Sequence, residues 1–513
     1  MNKNLLPHPR TSRLACLFTL AFSLLAHGYR YLSMSFSGDA MLLSQAGEEA
    51  YQISLGRFLQ PVYWQIRGTI TAPLTIGLFA AAFLMVSACL IADLLAIRRP
   101  AHIALLCGIL AASETMYISN ATYLPWTDVY MLAMALCVLG VYAFFRLRFG
   151  FLLCPVFFCL SLGLYQSYLP VASTLIILVL FARTLRGESP ARLFRTGVTA
   201  CVSLLLGLLL YALVLNVLLR LFGITASQDY NGVGRVGLPP LHEIPKLLLD
   251  TCTAPIRFLF IPSDTPVMTW HIPLTPKWLN LAILAVSALL LAQRMRRLPL
   301  RSVLLALFLM AMLAPSMNFI QFISRGIASG LTIYAYVFFY LIPLALMALP
   351  EGGDAPRFPR LRILPRCAAG LLCLLILMNI MHGSQAYVKR DLEWHATTSA
   401  MTRVLSRAEK AEGYVPGETP VVLMGMLPSS PVSMEKPGFE SLARVQGMRY
   451  TYAASYETST YWYLQMALGQ PVHLVSHEER AALSAGAEAQ SLSLFPDPGC
   501  CRMIDGRLYI RFN

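Results

Sequence analysis

The sequence predicts an all-α polytopic membrane protein of about eleven transmembrane helices, followed by a small C-terminal α/β soluble domain. Of the 513 residues, 57% are hydrophobic and only 13% are charged, whereas a soluble domain carries about a quarter charged residues. The mean hydropathy is +0.61, and apolar runs of about 17 residues or more, enough to cross a bilayer, recur along the chain. These observations predict a membrane domain over residues 1–383 and a soluble domain over residues 384–513.

The net charge of +14 is concentrated in every second gap between the apolar runs. Those gaps hold 19 of the 40 basic residues and four acidic ones, which leaves +15, whereas the other segments hold 21 basic and 22 acidic residues, which leaves −1. Because Lys and Arg are retained on the cytoplasmic side, this alternation predicts a cytoplasmic N-terminus and a C-terminal domain on the outer face. A nucleic-acid-binding surface does not require such an alternation, so we expect no nucleic acid partner.

Eleven apolar runs are predicted as spans, near residues 14–33, 70–92, 101–119, 126–145, 149–166, 168–184, 196–221, 278–294, 302–319, 329–349 and 364–382. No small-residue cleavage site follows the first run, so we interpret it as an uncleaved helix rather than a signal peptide. This assignment leaves two long outer loops, residues 34–69 and 222–277. Apolar residues at helical spacing in the second loop predict a short helix along the membrane surface, or else a loop folded over the bundle.

The last 130 residues are richer in polar and charged side chains. Helical patterns near residues 386–411 and 459–468 lie on either side of a segment, 419–425, that is typical of a buried strand. Near the C-terminus, Asp505-Gly506 separates two short strand-like segments, which predicts a β-hairpin. No nucleotide-binding fingerprint and no nucleophile elbow is present, so we expect this domain to cover or orient a substrate.

The first outer loop gathers acidic, basic and aromatic side chains at the membrane surface. Its charged candidates are Asp39, Glu48, Glu49, Arg57 and Arg67, and aromatic residues lie among them. A carboxylate beside a dry helix bundle can act as a general base, an arginine binds phosphate through paired N–H donors, and an aromatic ring suits the apolar face of a sugar. The alternative is a solvated loop with ordinary ion pairs, and for the group as a whole we favour a functional site.

Further polar candidates lie near the outer ends of later helices. Glu114 and Asp128 either contact a substrate or cap their helices at the interface, and we favour the second interpretation. Tyr165 and Gln166 either contact a substrate or form a tight outer turn. Arg325 is the one basic residue of its outer loop, and for it we favour contact with a lipid phosphate over snorkelling to headgroups.

Several short motifs resemble those of one family of membrane enzymes. A short first helix and an acidic residue early in the outer loop are followed by LGRFLQP (residues 55–61), the YQSYL turn (165–169), a serine-arginine pair (324–325) and the terminal FPDPGCCRMIDGRLYIRF. Over nearly its whole length, the chain resembles the serotype-converting O-antigen glucosyltransferases of the Gtr type II family. That family is similar to the C-type (GT-C) glycosyltransferases, which use polyprenyl-phosphate sugars on the outer face of the membrane.

The resemblance implies a multi-pass glycosyltransferase of a bacterial inner membrane. It would move a sugar, glucose in that family, from a polyprenyl-phosphate carrier to an envelope glycan such as O-antigen on the periplasmic face, by a single inverting displacement. The carboxylate that activates the acceptor hydroxyl in such enzymes corresponds here to Asp39. Family members often have two adjacent acidic residues at this place, whereas Ala40 follows Asp39, so Glu48 or Glu49 is the candidate for a second carboxylate.

The leaving lipid phosphate would be stabilised by Arg325, with Arg57 or Arg67 as further partners. No cofactor motif or metal-ligand spacing is evident in the sequence, but a divalent metal ion that bridges Asp39 and the phosphate stays open.

The main rival interpretation is a polytopic transporter or flippase of lipid-linked saccharides. Such proteins usually have paired half-repeats and charges near the middle of the membrane, whereas the ionisable residues here gather at outer helix ends. A second rival is an O-antigen polymerase, which gives no reason for an acidic residue directly after the first helix.

Overall fold

A computed structural model describes residues 7–42, 44–227, 239–262, 271–323, 325, 329–349, 363–427 and 439–512. Helices occupy each of the eleven runs predicted as spans. Up to residue 408 the α-helices are α1 (Pro9–Leu32), α2 (Glu49–Ser54), α3 (Leu59–Arg67), α4 (Pro73–Leu94), α5 (Pro100–Ala111), α6 (Glu114–Thr122), α7 (Thr127–Arg146), α8 (Gly150–Leu164), α9 (Leu169–Leu185), α10 (Pro190–Phe222), α11 (Ile244–Phe260), α12 (Lys277–Met295), α13 (Leu300–Met317), α14 (Phe319–Ile323), α15 (Leu341–Met347) and α16 (Leu364–Ala408).

Seven helices of the described residues are long and apolar enough to cross a membrane. They are α4, α10, α12, α13, α16, and α7 and α9 together with the short 3-10 turns that precede them. Helices α5 and α6, bent by 41° where they meet, form an eighth candidate. The chain is therefore a multi-pass membrane protein. Helix α1, helix α8 and the segment Tyr334–Met347 occupy the other three predicted spans without meeting the same criterion, so the total of eleven stays a prediction.

Proline begins many of these helices. Helices α1, α4, α5, α9 and α10 each have a proline at the first or second position. Proline lacks the N–H that would have no partner in a first helical turn, and its φ is already helical. Such local signals explain why most helix boundaries lie within a few residues of those predicted from hydropathy.

The helices differ in how much apolar surface they leave uncovered. Helices α7 and α9 are mostly buried inside the bundle, whereas α10 lies at its edge and exposes apolar side chains along its length, including Leu205, Leu209 and Leu213. A continuous apolar surface on a long helix is typical of contact with lipid. The buried helices therefore form a scaffold, and α10 is a lipid-facing element.

One end of the bundle is basic, as the alternation of charges predicts. At this end Asp93 accepts hydrogen bonds from Arg98 (2.7 Å) and Arg146 (2.5 Å), and Arg186 donates to the Leu95 carbonyl oxygen (2.5 Å). The opposite end, called the loop end below, carries residues 34–69. The charges that the sequence assigns to one side are thus clustered in space, and the side of the membrane on which they lie stays a prediction.

The second long loop contains a helix, as predicted. Helix α11 buries Leu247, Thr251 and Phe258 against the bundle and leaves Leu248 and Ile256 exposed. It packs on α12, α13 and α14. Residues 228–238 and 263–270 of this loop lie outside the described residues. Helix α11 therefore covers the bundle with one face and offers an apolar stripe on the other.

A small mixed sheet follows α16. Its strands are β1 (Pro420–Met424), β2 (His473–Leu474), β3 (Cys501–Ile504) and β4 (Arg507–Arg511), in the order β2-β1-β4-β3. Strand β1 is parallel to β2 and β4, and β3 pairs antiparallel with β4. Asp505 and Gly506 have φ of 47° and 73° in the connecting turn, as a two-residue hairpin of this kind requires. The predicted hairpin and the predicted strand at 419–425 are both confirmed.

Three further α-helices accompany the sheet: α17 (Glu457–Trp462), α18 (His477–Ser484) and α19 (Ala487–Gln490). Helix α16 continues without a break across residue 384, the predicted start of the C-terminal domain. One rigid helix therefore connects the bundle to the sheet, and it places the C-terminal residues directly over the loop end.

Candidate functional site

Asp39 lies in a single 3-10 turn, Gly38–Ala40, shortly after α1. The Ser37 hydroxyl accepts a hydrogen bond from the Ala40 amide (3.1 Å) and donates one to the Thr122 carbonyl oxygen (2.5 Å) at the end of α6. Serine is a preferred residue for capping the start of a helical turn. These two bonds fix the turn, and with it Asp39, against the end of α6.

The Asp39 side chain is exposed, yet groups from three distant parts of the chain surround it. The Tyr456 hydroxyl donates a hydrogen bond to Asp39 Oδ1 (3.1 Å), Tyr123 provides a second hydrogen bond, and the Arg390 guanidinium is the neighbouring positive charge. Desolvation by the surrounding protein outweighs these contacts and raises the pKa of the Asp39 carboxyl. A solvent-accessible carboxylate with a raised pKa has the properties of a general base.

Gly38 allows the C-terminal region to approach this turn closely. A Cβ atom at Gly38 would lie 2.8 Å from Ser455 Oγ, 2.8 Å from the Tyr456 ring and 3.0 Å from the Ala453 carbonyl oxygen. Real Cβ atoms are essentially never found closer than 3.0 Å to such atoms, so the first two distances exclude a side chain here. Residues 453–456 therefore pack directly on the Asp39 turn, which makes the C-terminal region one wall of the site.

Three buried charges on α16 hold the C-terminal region at Gly447 and Met448. Glu393 forms ion pairs with both Lys389 and Arg390, and all three side chains are at most 2% exposed. Arg390 also donates to the Ala121 carbonyl oxygen (3.0 Å) and to the Gly447 carbonyl oxygen (2.9 Å). Buried charges require this complete pairing to be stable. Arg390 thus connects α6 to the C-terminal region within reach of Asp39.

The segment that leads from α1 to Asp39 is held in a similar way. Asp391 accepts hydrogen bonds from Tyr29, Ser33 (2.7 Å) and Ser35. Arg30, which is fully buried, donates to the Asn120 carbonyl oxygen (2.9 Å) and to the Ser33 carbonyl oxygen (3.0 Å). These bonds leave the backbone before Asp39 little freedom, which is what a preorganised site needs.

The structure brings two of the predicted site residues together as an ion pair. Arg67 Nη1 lies 3.1 Å from both Asp128 carboxylate oxygens, and the side chains are 1% and 0% exposed. Tyr63 also donates to Asp128 (2.9 Å), and Arg67 Nη2 donates to Gln45 (3.1 Å). Arg67 and Asp128 therefore connect the first loop to α7, and both are occupied with internal partners.

Glu114 anchors the second long loop. Its Oε1 atom accepts hydrogen bonds from the Leu274 amide (2.8 Å), the Thr275 amide (3.1 Å) and the Tyr117 hydroxyl (3.2 Å). A cavity of about 30 Å³, room for about one water molecule, lies beside it. This carboxylate is an internal acceptor for backbone donors of the second long loop, whereas Ser113 provides the cap of α6.

Tyr165 contacts Arg57, and Gln166 contacts the backbone two residues before Arg57. The Arg57 guanidinium carbon lies 5.0 Å from the centre of the Tyr165 ring. Gln166 Nε2 donates to the Leu55 carbonyl oxygen (2.7 Å) and to the Tyr211 hydroxyl (3.0 Å). The turn between α8 and α9 therefore fixes the backbone directly before Arg57.

The other predicted residues lie apart from these contacts. Glu48 is half-buried and Glu49 is exposed at the start of α2, and the neighbouring Glu49 charge adds to desolvation in raising the pKa of Glu48. Arg325 lies in a turn with φ of 54°, and its Nε atom is buried without a hydrogen-bond partner among the described residues. Its neighbours 324 and 326–328 lie outside the described ranges.

Within the part of the chain that the structure describes, no group of three or more His, Cys, Asp or Glu side chains is arranged to hold a metal ion. The acidic candidates are separated by their partners: Asp39 contacts tyrosines, Asp128 contacts an arginine, and Glu114 contacts backbone amides.

Sequence reasoning missed the three residues that surround Asp39. Tyr123, Arg390 and Tyr456 are far from Asp39 in the chain, and Tyr456 is separated from it by 417 positions. One signal was available, because tyrosine recurs at positions 450, 452, 456, 461 and 463 in a C-terminal segment of an otherwise ordinary composition. Such a cluster of rings beside an acidic site is typical of sugar recognition.

Comparison with known proteins identifies the family of this chain. Residues 29–344, more than half of the chain, match the family model described as Glucosyl transferase GtrII. No curated protein and no solved structure matches the chain. The matched range includes Asp39 and Arg325, whereas Arg390 and Tyr456 follow it. The chain belongs to the GtrII glucosyl transferase family and is a membrane glycosyltransferase.

Proposed function

We propose that this protein transfers glucose from a polyprenyl-phosphate carrier to an envelope glycan such as O-antigen. The observation that carries the proposal is the Asp39 carboxylate, which is open to solvent, has a raised pKa and accepts a hydrogen bond from Tyr456. A group in this state can take a proton from an acceptor hydroxyl near neutral pH.

The proposed reaction is one displacement with inversion at the anomeric carbon. Asp39 removes the proton of the acceptor hydroxyl while that oxygen forms a bond to C1 of glucose. The bond between C1 and the phosphate oxygen breaks on the opposite face, and polyprenyl phosphate leaves with the electron pair. Asp39 then releases its proton to water. Because phosphate is a good leaving group, one catalytic carboxylate suffices.

We assign the stabilisation of the leaving phosphate to Arg325. Its guanidinium has a buried Nε with no partner among the described residues, whereas Arg67 is already paired with Asp128. Arg57, which lies over the Tyr165 ring, is the second candidate for this contact. A guanidinium matches phosphate geometry through parallel N–H donors.

We also infer that the reaction takes place on the periplasmic face of the inner membrane. The loop end lies opposite the basic end, and basic residues mark the cytoplasmic side. On this assignment residues 384–513 form a periplasmic domain that covers the loop end, and the lipid tail of the donor lies along the apolar helices of the bundle. Membrane lipids then surround the exposed face of α10.

A transfer assay with purified protein tests the proposal. The protein in detergent is incubated with polyprenyl-phosphate glucose and an O-antigen acceptor, and glycan product is measured for wild type, Asp39→Asn, Glu48→Gln and Glu49→Gln. We expect product from wild type and loss of at least about a hundredfold in Asp39→Asn alone. Glu412→Gln, an exposed acid-to-amide change after α16, is the matched control.

Two outcomes would contradict the proposal. If Asp39→Asn transfers glucose at the wild-type rate and Glu48→Gln or Glu49→Gln does not, the general base is Glu48 or Glu49 instead. Movement of intact lipid-linked glucose across proteoliposome membranes, with no glycosidic bond formed in either assay, would identify a flippase instead.

A further inference from the structure

The segment Gln446–Tyr456 reaches the site from outside the range matched by the family model. At its start the Gln446 carbonyl oxygen accepts a hydrogen bond from the Thr122 hydroxyl at the end of α6 (3.1 Å), and at its end the Tyr456 hydroxyl donates one to Asp39. In between, Lys389 donates to the carbonyl oxygens of Met448 and Tyr450 (3.2 Å for the latter). The backbone of the segment is therefore fixed by buried charges on α16.

Gln446 fastens this segment to both sides of the site. Its Nε2 atom donates to the Tyr123 hydroxyl (2.9 Å), and its Oε1 atom accepts a hydrogen bond from the Gly330 amide (2.7 Å). Tyr123 is itself a partner of Asp39, and Gly330 lies five positions after Arg325. A side chain that is 6% exposed thus connects the Asp39 side to the loop that carries Arg325.

Two tyrosine rings line the open side of Asp39. Tyr123 and Tyr456 both hydrogen-bond to its carboxylate, and both are half-buried, so part of each ring remains accessible. Tyr450 is close enough to interact electrostatically with Tyr456. Aromatic faces beside a carboxylate offer a hexose both an apolar platform for its C–H face and an acceptor for its hydroxyl.

We propose that Gln446–Tyr456 forms the acceptor-binding wall of the transfer site, in which the Tyr456 ring contacts a hexose of the acceptor glycan and the Tyr456 hydroxyl positions Asp39. This inference deepens the proposed function and rests on it. The wall carries acceptor recognition, whereas the matched range 29–344 carries the base and the donor side. The hydrogen bonds of Gln446 hold the acceptor-binding wall in a fixed position relative to Tyr123 and Gly330.

Two substitutions at Tyr456 separate the two roles. Tyr456→Phe keeps the ring and removes the donor to Asp39, so the acidic limb of the kcat/KM profile should move upward by about one pH unit. The sign follows because a hydrogen bond to the ionised carboxylate lowers its pKa, and the loss of that bond raises it. Tyr456→Leu also removes the ring and should raise the KM for the acceptor roughly five- to tenfold, with the KM for polyprenyl-phosphate glucose unchanged.

Tyr461→Phe and Tyr461→Leu on the same short helix are the matched controls, because Tyr461 packs beside Trp462 and is not a partner of Asp39. They should leave the pH profile and both KM values unchanged. Thermal unfolding of each purified variant identifies any loss of fold. If Tyr456→Leu unfolds, the pH limb of Tyr456→Phe still tests whether the Tyr456 hydroxyl positions Asp39.

The failure of this inference is distinct from the failure of the proposed function. If the Tyr456 variants have the same pH limb and acceptor KM as the Tyr461 controls, Gln446–Tyr456 is not the acceptor-binding wall, even if Asp39→Asn is inactive. Full transfer by Asp39→Asn would instead overturn the proposed function.

Discussion

Arg67 and Asp128 form an ion pair closed off from solvent, with Arg67 Nη1 at 3.1 Å from both carboxylate oxygens. Arg67 was a candidate for the phosphate contact and Asp128 a candidate for either a substrate contact or a helix cap, and their side chains are 1% and 0% exposed. Each is the charge partner of the other, and Tyr63 and Gln45 are among their further hydrogen-bond partners. The structure therefore favours a role for this pair in joining the first loop to α7.

Removal of one partner of this pair should destabilise the protein. Asp128→Ala leaves the Arg67 guanidinium buried and unpaired, which costs about 3–5 kcal/mol. The double variant Arg67→Met, Asp128→Leu removes both charges and should recover most of that loss. Thermal unfolding in detergent, with the two single variants as the other corners of the cycle, measures this. A stable but inactive Asp128→Ala would show that Asp128 takes part in the chemistry.

Glu114 should tolerate an amide but not a truncation. Glu114→Gln keeps a carbonyl oxygen that accepts from the Leu274 and Thr275 amides, whereas Glu114→Ala leaves these donors without their partner, at about 1–3 kcal/mol each. We expect near wild-type transfer by the Gln variant, and faster proteolysis within residues 222–277 for the Ala variant. Equal loss of activity in both variants, with the fold intact, would instead make Glu114 a catalytic acid or base.

Gly447 should be essential for the close packing of the acceptor-binding wall on Thr122. It has φ of 74°, and a Cβ there would lie 2.2 Å from Thr122 Cγ2, whereas Gly413 has φ of 83° and nothing within 4 Å of its Cβ. Both Gly→Ala variants carry backbone strain of about 1 kcal/mol, so Gly413→Ala is a matched control for strain alone. Gly447→Ala should lower the thermal midpoint further and raise the acceptor KM. Identical behaviour of the two variants would contradict the close contact.

Arg325 should support the leaving phosphate. Arg325→Gln is expected to lower kcat by about 10²–10³-fold, because a charged donor to the developing phosphate is lost. Arg325→Lys keeps the charge and should recover part of the rate. Arg301→Gln, at the basic end of α13, is the control and should transfer glucose normally. If Arg325→Gln retains the wild-type kcat, the phosphate is bound elsewhere, and Arg57 becomes the next residue to test.

The helices and the C-terminal hairpin could be predicted because their signals are local. Hydropathy, proline positions and the Asp505-Gly506 turn act within a few residues, and the structure places helices and the hairpin where these signals lie. The charge alternation likewise predicts the cluster of Arg98 and Arg146 around Asp93. Helix α8 is short, and α1 does not meet the criterion for a candidate span, so the assignment of both as membrane spans stays a prediction.

The partners within the site could not be predicted for the opposite reason. Which charge pairs with which depends on how helices far apart in the chain pack, so the sequence offered Arg67 as a phosphate ligand and Asp128 as a cap or substrate contact, and not as partners of each other. Asp39 was identified from its position after α1, but its contacts to Tyr456 and Arg390 come from the C-terminal region. Only the tertiary fold brings these groups together.

The pH dependence of glucosyl transfer tests the role of Asp39 most directly. Because desolvation by the surrounding protein raises the pKa of the Asp39 carboxyl, the wild-type kcat/KM should fall at low pH with a midpoint above the ordinary aspartate value of about 3.9, as the base becomes protonated. In Asp39→Asn the remaining activity should be low and should lack this acidic limb. An Asp39→Asn variant that transfers glucose at the wild-type rate with the same acidic limb would contradict the assignment of Asp39 as the base.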